Sequence, residues 1–231
     1  MNPRKKEILK ELGLSPQWHI KSAEIGNAGH MPPHEPCSLG RDQIANMDWQ
    51  QLKHEVTNCT ACDLCQSRTQ TVFGVGDENA DWLYIGEGPG AKEDAIGEPF
   101  VGPAGKLLDN MLIALGLHRS HQVYIANIVK CRPPNNRNPD TNEAEQCQPY
   151  LARQIELIKP KIIVALGKVA AQNLLRCNES ISSMRGKLHT YSGIPLIVTY
   201  HPAYLLRSLQ DKAKAWEDLC FAKATMQSRS K

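Results

Sequence analysis

Trp82-Leu83-Tyr84-Ile85-Gly86-Glu87-Gly88-Pro89-Gly90 is a β-rich apolar run that ends abruptly in a glycine-rich turn. A short apolar run bounded by a breaker is the pattern of a buried strand. The pattern returns at residues 123–128, 161–166 and 196–199, and helical periodicity fills the intervals at 104–115, 143–158 and 168–175, with a last helix at 212–226. Strands alternating with helices imply parallel neighbours, because parallel pairs need a crossover and crossovers place helices on both faces. The expected fold class is therefore α/β, a three-layer α/β/α sandwich around a short parallel sheet of about four strands. Ligands of such sheets gather beyond the carboxyl ends of the strands. Three of the four runs open there into chemically loaded turns: residues 86–90, then Asn127 with Lys130-Cys131-Arg132-Pro133-Pro134, and finally His201-Pro202.

Outward from that frame, 231 residues that are 41% apolar and 22% charged bury one substantial core and leave room for a short appendage. Residues 4–14 set Ile8, Leu9 and Leu12 on one helical stripe that Gly13 stops, and residues 22–40 are rich in Gly, Pro, Ser and His, as linkers are. The expected division is an N-terminal extension over 1–45 and one functional domain over 46–231. The longest apolar run, 162–166, is too short to cross a bilayer, and the N-terminus lacks the apolar segment of a secretory signal. A soluble, cytoplasmic monomer with no membrane partner is expected. A net charge of +3 does not diagnose nucleic-acid binding but permits a local basic face, for which Lys130, Arg132, Arg137, Arg185, Lys187 and Arg207 are available in or near turns.

Cys59-x-x-Cys62 precedes the first strand, and Cys131 is followed by Cys147. A C-x-x-C needs only a tight turn to aim two thiolates at one centre, so iron–sulfur or zinc is the first inference for the four. Cys177 and Cys220 each stand alone in or beside apolar or helical stretches and suit plain packing. The 86–90 turn resembles a phosphate cradle, but Glu87 would put a carboxylate in the phosphate seat and Pro89 removes an amide donor. The glycines then serve to bring backbone against a flat or neutral ligand, with Glu87 at the reacting centre. Phe100, on a turn between Pro99 and Gly102, either stacks on a planar ligand or plugs the sheet. Asn127, polar at the end of an apolar strand, either pins a loop or reads a ligand's hydrogen-bonding edge. His201 shares that sheet edge and suits a charge-stabilising donor.

Taken in order, Cys59-x-x-Cys62-x-Leu64-x-x-x-Arg68, GEGPG with Glu93-Asp94, GEPFVGPAGKLL at 97–108, NIVKCRPP at 127–134, Cys147 with Pro149-Tyr150-Leu151, Arg185-Gly186-Lys187 and HPAYLLR at 201–207 resemble the family 4 uracil-DNA glycosylases across roughly residues 50–221. The resemblance implies an α/β/α sandwich that removes uracil from DNA and carries a [4Fe-4S] cluster on Cys59, Cys62, Cys131 and Cys147. It implies that Phe100 stacks on the extruded uracil, Asn127 reads its polar edge and His201 faces its O2. Gly86, Glu87, Gly88, Pro89 and Gly90 match the first catalytic motif, with Glu87 orienting water or stabilising the sugar cation, and Glu93 shaping the pocket. Leu205, Leu206 and Arg207 match the segment that enters or braces the duplex, and Arg185 and Lys187 match its DNA-facing turn. The cluster would staple loops rather than transfer electrons. The long N-terminal segment, Cys37 and Cys65 depart from the family pattern. Two competing readings are an inactive cluster-bearing DNA-binding or redox-sensing module, and a zinc-stapled nucleotide-binding protein.

Overall fold

The computed structural model describes residues 40–228. The amphipathic stripe at 4–14 and nearly all of the proline-rich linker lie outside the described residues. Six strands form one sheet: β1 (Val75–Gly76), β2 (Trp82–Gly86), β3 (Val123–Asn127), β4 (Ile162–Leu166), β5 (Leu188–Tyr191) and β6 (Ile194–Thr199), in the spatial order β1-β3-β2-β4-β6-β5. The four central strands run parallel, as the alternation of strands and helices requires, and the two outer strands run antiparallel. These outer strands extend the expected sheet of about four. β5 joins β6 through Ser192 and Gly193, both at positive φ (47° and 83°), the signature of a type I′ hairpin whose twist matches the strands.

The helices are α1 (Arg41–Ala45), α2 (Trp49–Asn58), α3 (Leu64–Ser67), α4 (Ala91–Ile96), α5 (Pro103–Ala114), α6 (Thr141–Ile158), α7 (Lys168–Leu175), α8 (Ile181–Met184), α9 (Pro202–Leu205) and α10 (Lys212–Ser228). The α6 start is fixed by a capping box, in which Asp140 accepts from the Glu143 amide and Glu143 accepts from the Asp140 amide. Strand alternation separates two cores. Leu83, Ile85, Ile163, Ala165, Leu196 and Val198 face α6 and α7 with Leu151, Ile155, Ala170 and Leu174. Trp82, Tyr84, Ile162, Val164 and Ile197 face α5 and α10 with Leu108, Leu112, Leu219 and Ala222. Each of these large side chains, withdrawn from water, contributes about 1.5–3 kcal/mol to folding. A third group, Ile44, Leu52, Val56, Phe73 and Tyr150, seats α1 and α2 against α6.

The loop after β2 leads to α4 and α5 on one face, whereas the loop after β3 leads to α6 on the other. Loops that diverge in this way open a crevice at the carboxyl ends of the strands.

Candidate active site

That crevice is an open cleft of about 480 Å³. Glu87, Gly88, Pro89, Gly90, Glu93, Phe100, Asn127, His201 and Arg207 all line it. Strand ends dictate their convergence. Gly86 ends β2 directly opposite Asn127 at the end of β3, and the ladder continues past both, with Ile128 N donating to Gly86 O (2.9 Å) and Val129 N to Glu87 O (3.2 Å). A Cβ on Gly86 would lie 2.5 Å from Asn127 Oδ1 and 2.7 Å from Phe100 Cζ. Glycine is required there by the close approach of two side chains rather than by a phosphate.

Asn127 is buried, and its Oδ1 has no hydrogen-bond partner in the protein. A buried carbonyl oxygen without a donor costs about 1–3 kcal/mol, so an orphan facing a cleft marks a place where a ligand N–H belongs. Phe100 is buried with its backbone at φ 56°, in the left-handed region that a bulky residue enters at a cost of about 1–3 kcal/mol. Its ring stacks on His201 at a centroid distance of 5.5 Å and an interplanar angle of 29°. Glu93 supports the same turn: one carboxylate oxygen accepts from Val101 N (3.0 Å) and Gly102 N (3.1 Å).

His201 caps α9, its Nδ1 accepting from Ala203 N at 3.1 Å. An accepting Nδ1 leaves the proton of the neutral ring on Nε2. Burial, and then the nearby Arg207, hold the His201 imidazole down to about 4, against the opposing pull of Glu93. The ring is thus neutral at physiological pH and is still a donor through Nε2. Burial pushes the Glu87 carboxyl above the usual range.

The basic and apolar residues assigned to the DNA face divide. Lys187 and Arg207 are exposed. Arg185 is committed elsewhere: Nε and Nη2 each lie 3.0 Å from a carboxylate oxygen of the buried Asp218, and the guanidinium sits 5.1 Å over the Tyr200 ring. With its side chain 15% exposed, Arg185 braces α10 through this pairing. Leu205 is 1% exposed in a core group with Tyr200 and Ala215, while Leu206 is 43% exposed. The turn of α9 sends consecutive leucines to opposite sides, information that the pair Leu-Leu does not carry. Arg137, one of several basic candidates in the sequence, lines the cleft and forms a two-point ion pair with buried Glu143.

Cys59, Cys62, Cys131 and Cys147 line one narrow pocket with Lys130, Arg68 and Glu143. Arg68 Nη1 donates to Cys131 Sγ (3.0 Å) and Nη2 to Cys59 O (2.7 Å), and Lys130 N donates to Cys147 Sγ (3.3 Å). Burial pushes the thiols of Cys131 and Cys147 up to about 11 and about 12. No group of three or more His, Cys, Asp or Glu side chains among the described residues is arranged to hold a single metal ion. Four cysteines around a shared pocket, two of their sulfurs receiving N–H donors, fit a sulfur-ligated group. Cys65 stays out of the cavity lining, and Cys37 lies outside the described residues.

An α/β sheet brings an aromatic, an orphaned amide oxygen and a histidine around one cleft, and residues 73–220 match the family model described as Uracil DNA glycosylase superfamily. The chain belongs to that superfamily, in its type-4 branch. It is 46% identical over 163 residues to a type-4 uracil-DNA glycosylase of Archaeoglobus fulgidus, covering 67% of this chain and 81% of the relative. A type-4 enzyme of Sulfurisphaera tokodaii is 48% identical over 166 residues, 68% of this chain and 75% of the relative, and one of Pyrobaculum aerophilum is 42% identical over 183 residues, 75% and 92%. No helix among the described residues is long and apolar enough to cross a membrane.

Proposed function

We propose that this chain is a monofunctional uracil-DNA glycosylase that extrudes uracil from DNA and hydrolyses its N1–C1′ bond, opening base-excision repair. The orphaned Oδ1 of Asn127, held beside Phe100 and His201, carries the reading at the level of the site. Extruding a base costs a few kcal/mol, and stacking on Phe100 offsets about 1–3 kcal/mol of it. Asn127 Oδ1 accepts uracil N3–H, and its Nδ2 donates to O4. As the bond to C1′ lengthens, negative charge gathers on the leaving base and positive charge on the sugar. Neutral His201 meets the first by donating from Nε2 to O2, without the charge cancellation an imidazolium would entail. Glu87, acting as a carboxylate, faces the second and orients the water that adds to C1′. Lys187, Arg207 and exposed Leu206 contact the duplex, and no lysine among the described residues lines the cleft to form the imine that strand cleavage needs.

Cys59, Cys62, Cys131 and Cys147 would hold a [4Fe-4S] cluster, which would supply a four-point crosslink between the segment before the sheet, the segment after β3 and helix α6. Thiolate ligation of this kind suits a reducing cytoplasm. The chain acts as a monomer, with residues 1–45 as an N-terminal extension whose last segment, α1, packs against α6 of the catalytic domain.

Excision is tested on uracil-containing and uracil-free oligonucleotides, with the abasic product revealed by alkali. Free uracil and an intact strand before alkali are expected; cleavage without alkali, or no uracil released, would remove the reading. Asn127→Asp should slow uracil excision and raise cytosine excision, because a protonated carboxyl offers its donor and acceptor in either order. Parental rates on both bases would make Asn127 a structural amide.

A further inference from the structure

Phe100 holds a backbone conformation that its side chain disfavours, and the groups that enforce it extend beyond the cleft. On the cleft side the amides that follow Phe100 are taken by Glu93. On the far side the carbonyls of Pro99 and Phe100 are both taken by one residue, Arg119, through Nη1 (2.9 Å) and Nη2 (2.7 Å). Nε of the same guanidinium donates to Asp109 Oδ1 at 2.8 Å, which fixes its plane from the flank of α5. The Phe100 carbonyl reaches this position because Gly105 gives way beneath it: a Cβ there would stand 1.7 Å from Phe100 O. A planar, rigid fork is suited to two carbonyls in a row, and a lysine ammonium is not. Arg119 comes from the loop between α5 and β3 and does not line the cleft.

We propose that Arg119 is a positioning residue for uracil recognition: its fork, oriented by Asp109, holds the 99–100 carbonyls so that the Phe100 ring is presented to the extruded base. The proposal rests on the stacking role given to Phe100 above. If Arg119 acts through Phe100 alone, its loss should matter only while the ring is there.

The test is a double-mutant cycle on the full-length, cluster-loaded protein, read by inhibition of excision by free uracil, by single-turnover excision, by affinity for uracil-free duplex and by melting temperature. Phe100→Ala should weaken inhibition by free uracil at least about tenfold, the loss expected for one stacked base. Arg119→Met should produce a comparable weakening, Arg119→Lys a partial one and Asp109→Asn a smaller one, with affinity for uracil-free duplex held within about twofold. In the Phe100→Ala background, Arg119→Met should add less than about twofold to the loss of uracil inhibition. Losses that multiply in the double variant, or an Arg119→Met protein that keeps parental uracil inhibition while Phe100→Ala does not, would overturn the role of Arg119 and leave the stacking reading intact. A silent Phe100→Ala would overturn both. Should Arg119→Met fail to fold, Asp109→Asn at its half-exposed site carries the same cycle with Phe100→Ala.

Discussion

Gly86→Ala is the substitution that most directly probes how the pocket is built. The added Cβ would arrive 2.5 Å from Asn127 Oδ1 and 2.7 Å from Phe100 Cζ, both well inside van der Waals contact. Neither neighbour has room to retreat, since Asn127 ends a fully buried strand and Phe100 is held at φ 56° by the turn on which it stands. Displacing the amide forfeits a hydrogen bond to N3–H, about 1–3 kcal/mol when its partner is left buried, and tilting the ring forfeits part of a stacking contribution of about 1–3 kcal/mol. The smaller ends of these ranges sum to about 2 kcal/mol, or about 30-fold in excision. Overpacking should also lower fold stability by about 1–3 kcal/mol. Single-turnover excision, inhibition by free uracil and melting temperature should be measured together, with affinity for uracil-free duplex as the control that does not move. An alanine variant with parental excision and parental uracil inhibition would show that Gly86 is not the floor shared by the two recognition groups, and the arrangement assigned to this cleft would be wrong.

Three further outcomes are expected. Because the Glu87 carboxyl is raised and must be ionised to act, excision should fall as pH is lowered through a value above 4.5; His201, at about 4, stays neutral across that window, so Glu87→Gln should show a lower plateau and no acid limb in single-turnover profiles. Anaerobically purified protein should carry about four irons per chain; Cys147→Ala should lose iron and thermal stability while Cys177→Ala keeps both, and stoichiometric zinc in a colourless, active protein would exclude the cluster. Leu205→Ala should destabilise the fold by about 2–5 kcal/mol in chemical denaturation, whereas Leu206→Ala should leave stability within about 0.5 kcal/mol and slow excision from duplex more than it weakens inhibition by free uracil.

The four parallel strands were legible in the sequence because burial on both faces forces continuous apolar runs such as Ile162–Leu166. The outer strands were not, for reasons that are local: Val75–Gly76 is two residues long, and Leu188–Tyr191 alternates exposed and half-buried positions through His189 and Thr190. The site residues at strand ends were visible because a polar or glycine residue breaks an apolar run there. What spacing does not carry is which way a side chain turns once a short helix intervenes, hence Leu205 inside and Leu206 outside. Nor does it show a partner far along the chain: nothing near Arg185 announces Asp218, 33 positions away. The clefts' supports are hidden for the same reason, Arg119 reaching back 19 and 20 positions to the Phe100 turn.

The placement of the two antiparallel strands bears on how this protein behaves in a crowded solution. An uncovered sheet edge is an invitation to a second molecule, and the segments best suited to accept it here are the Val-, Ile- and Leu-rich parallel strands. None of these is outermost. One border is a two-residue strand, Val75–Gly76, with Gly74 before it at φ 148° and Gly76 itself at φ 132°, and the other is a hairpin arm only four residues long that ends at a tight turn. Each border offers an incoming strand too few regular hydrogen-bonding positions to lock onto, so intermolecular sheet growth should begin only after the borders have peeled away and exposed the strands they guard.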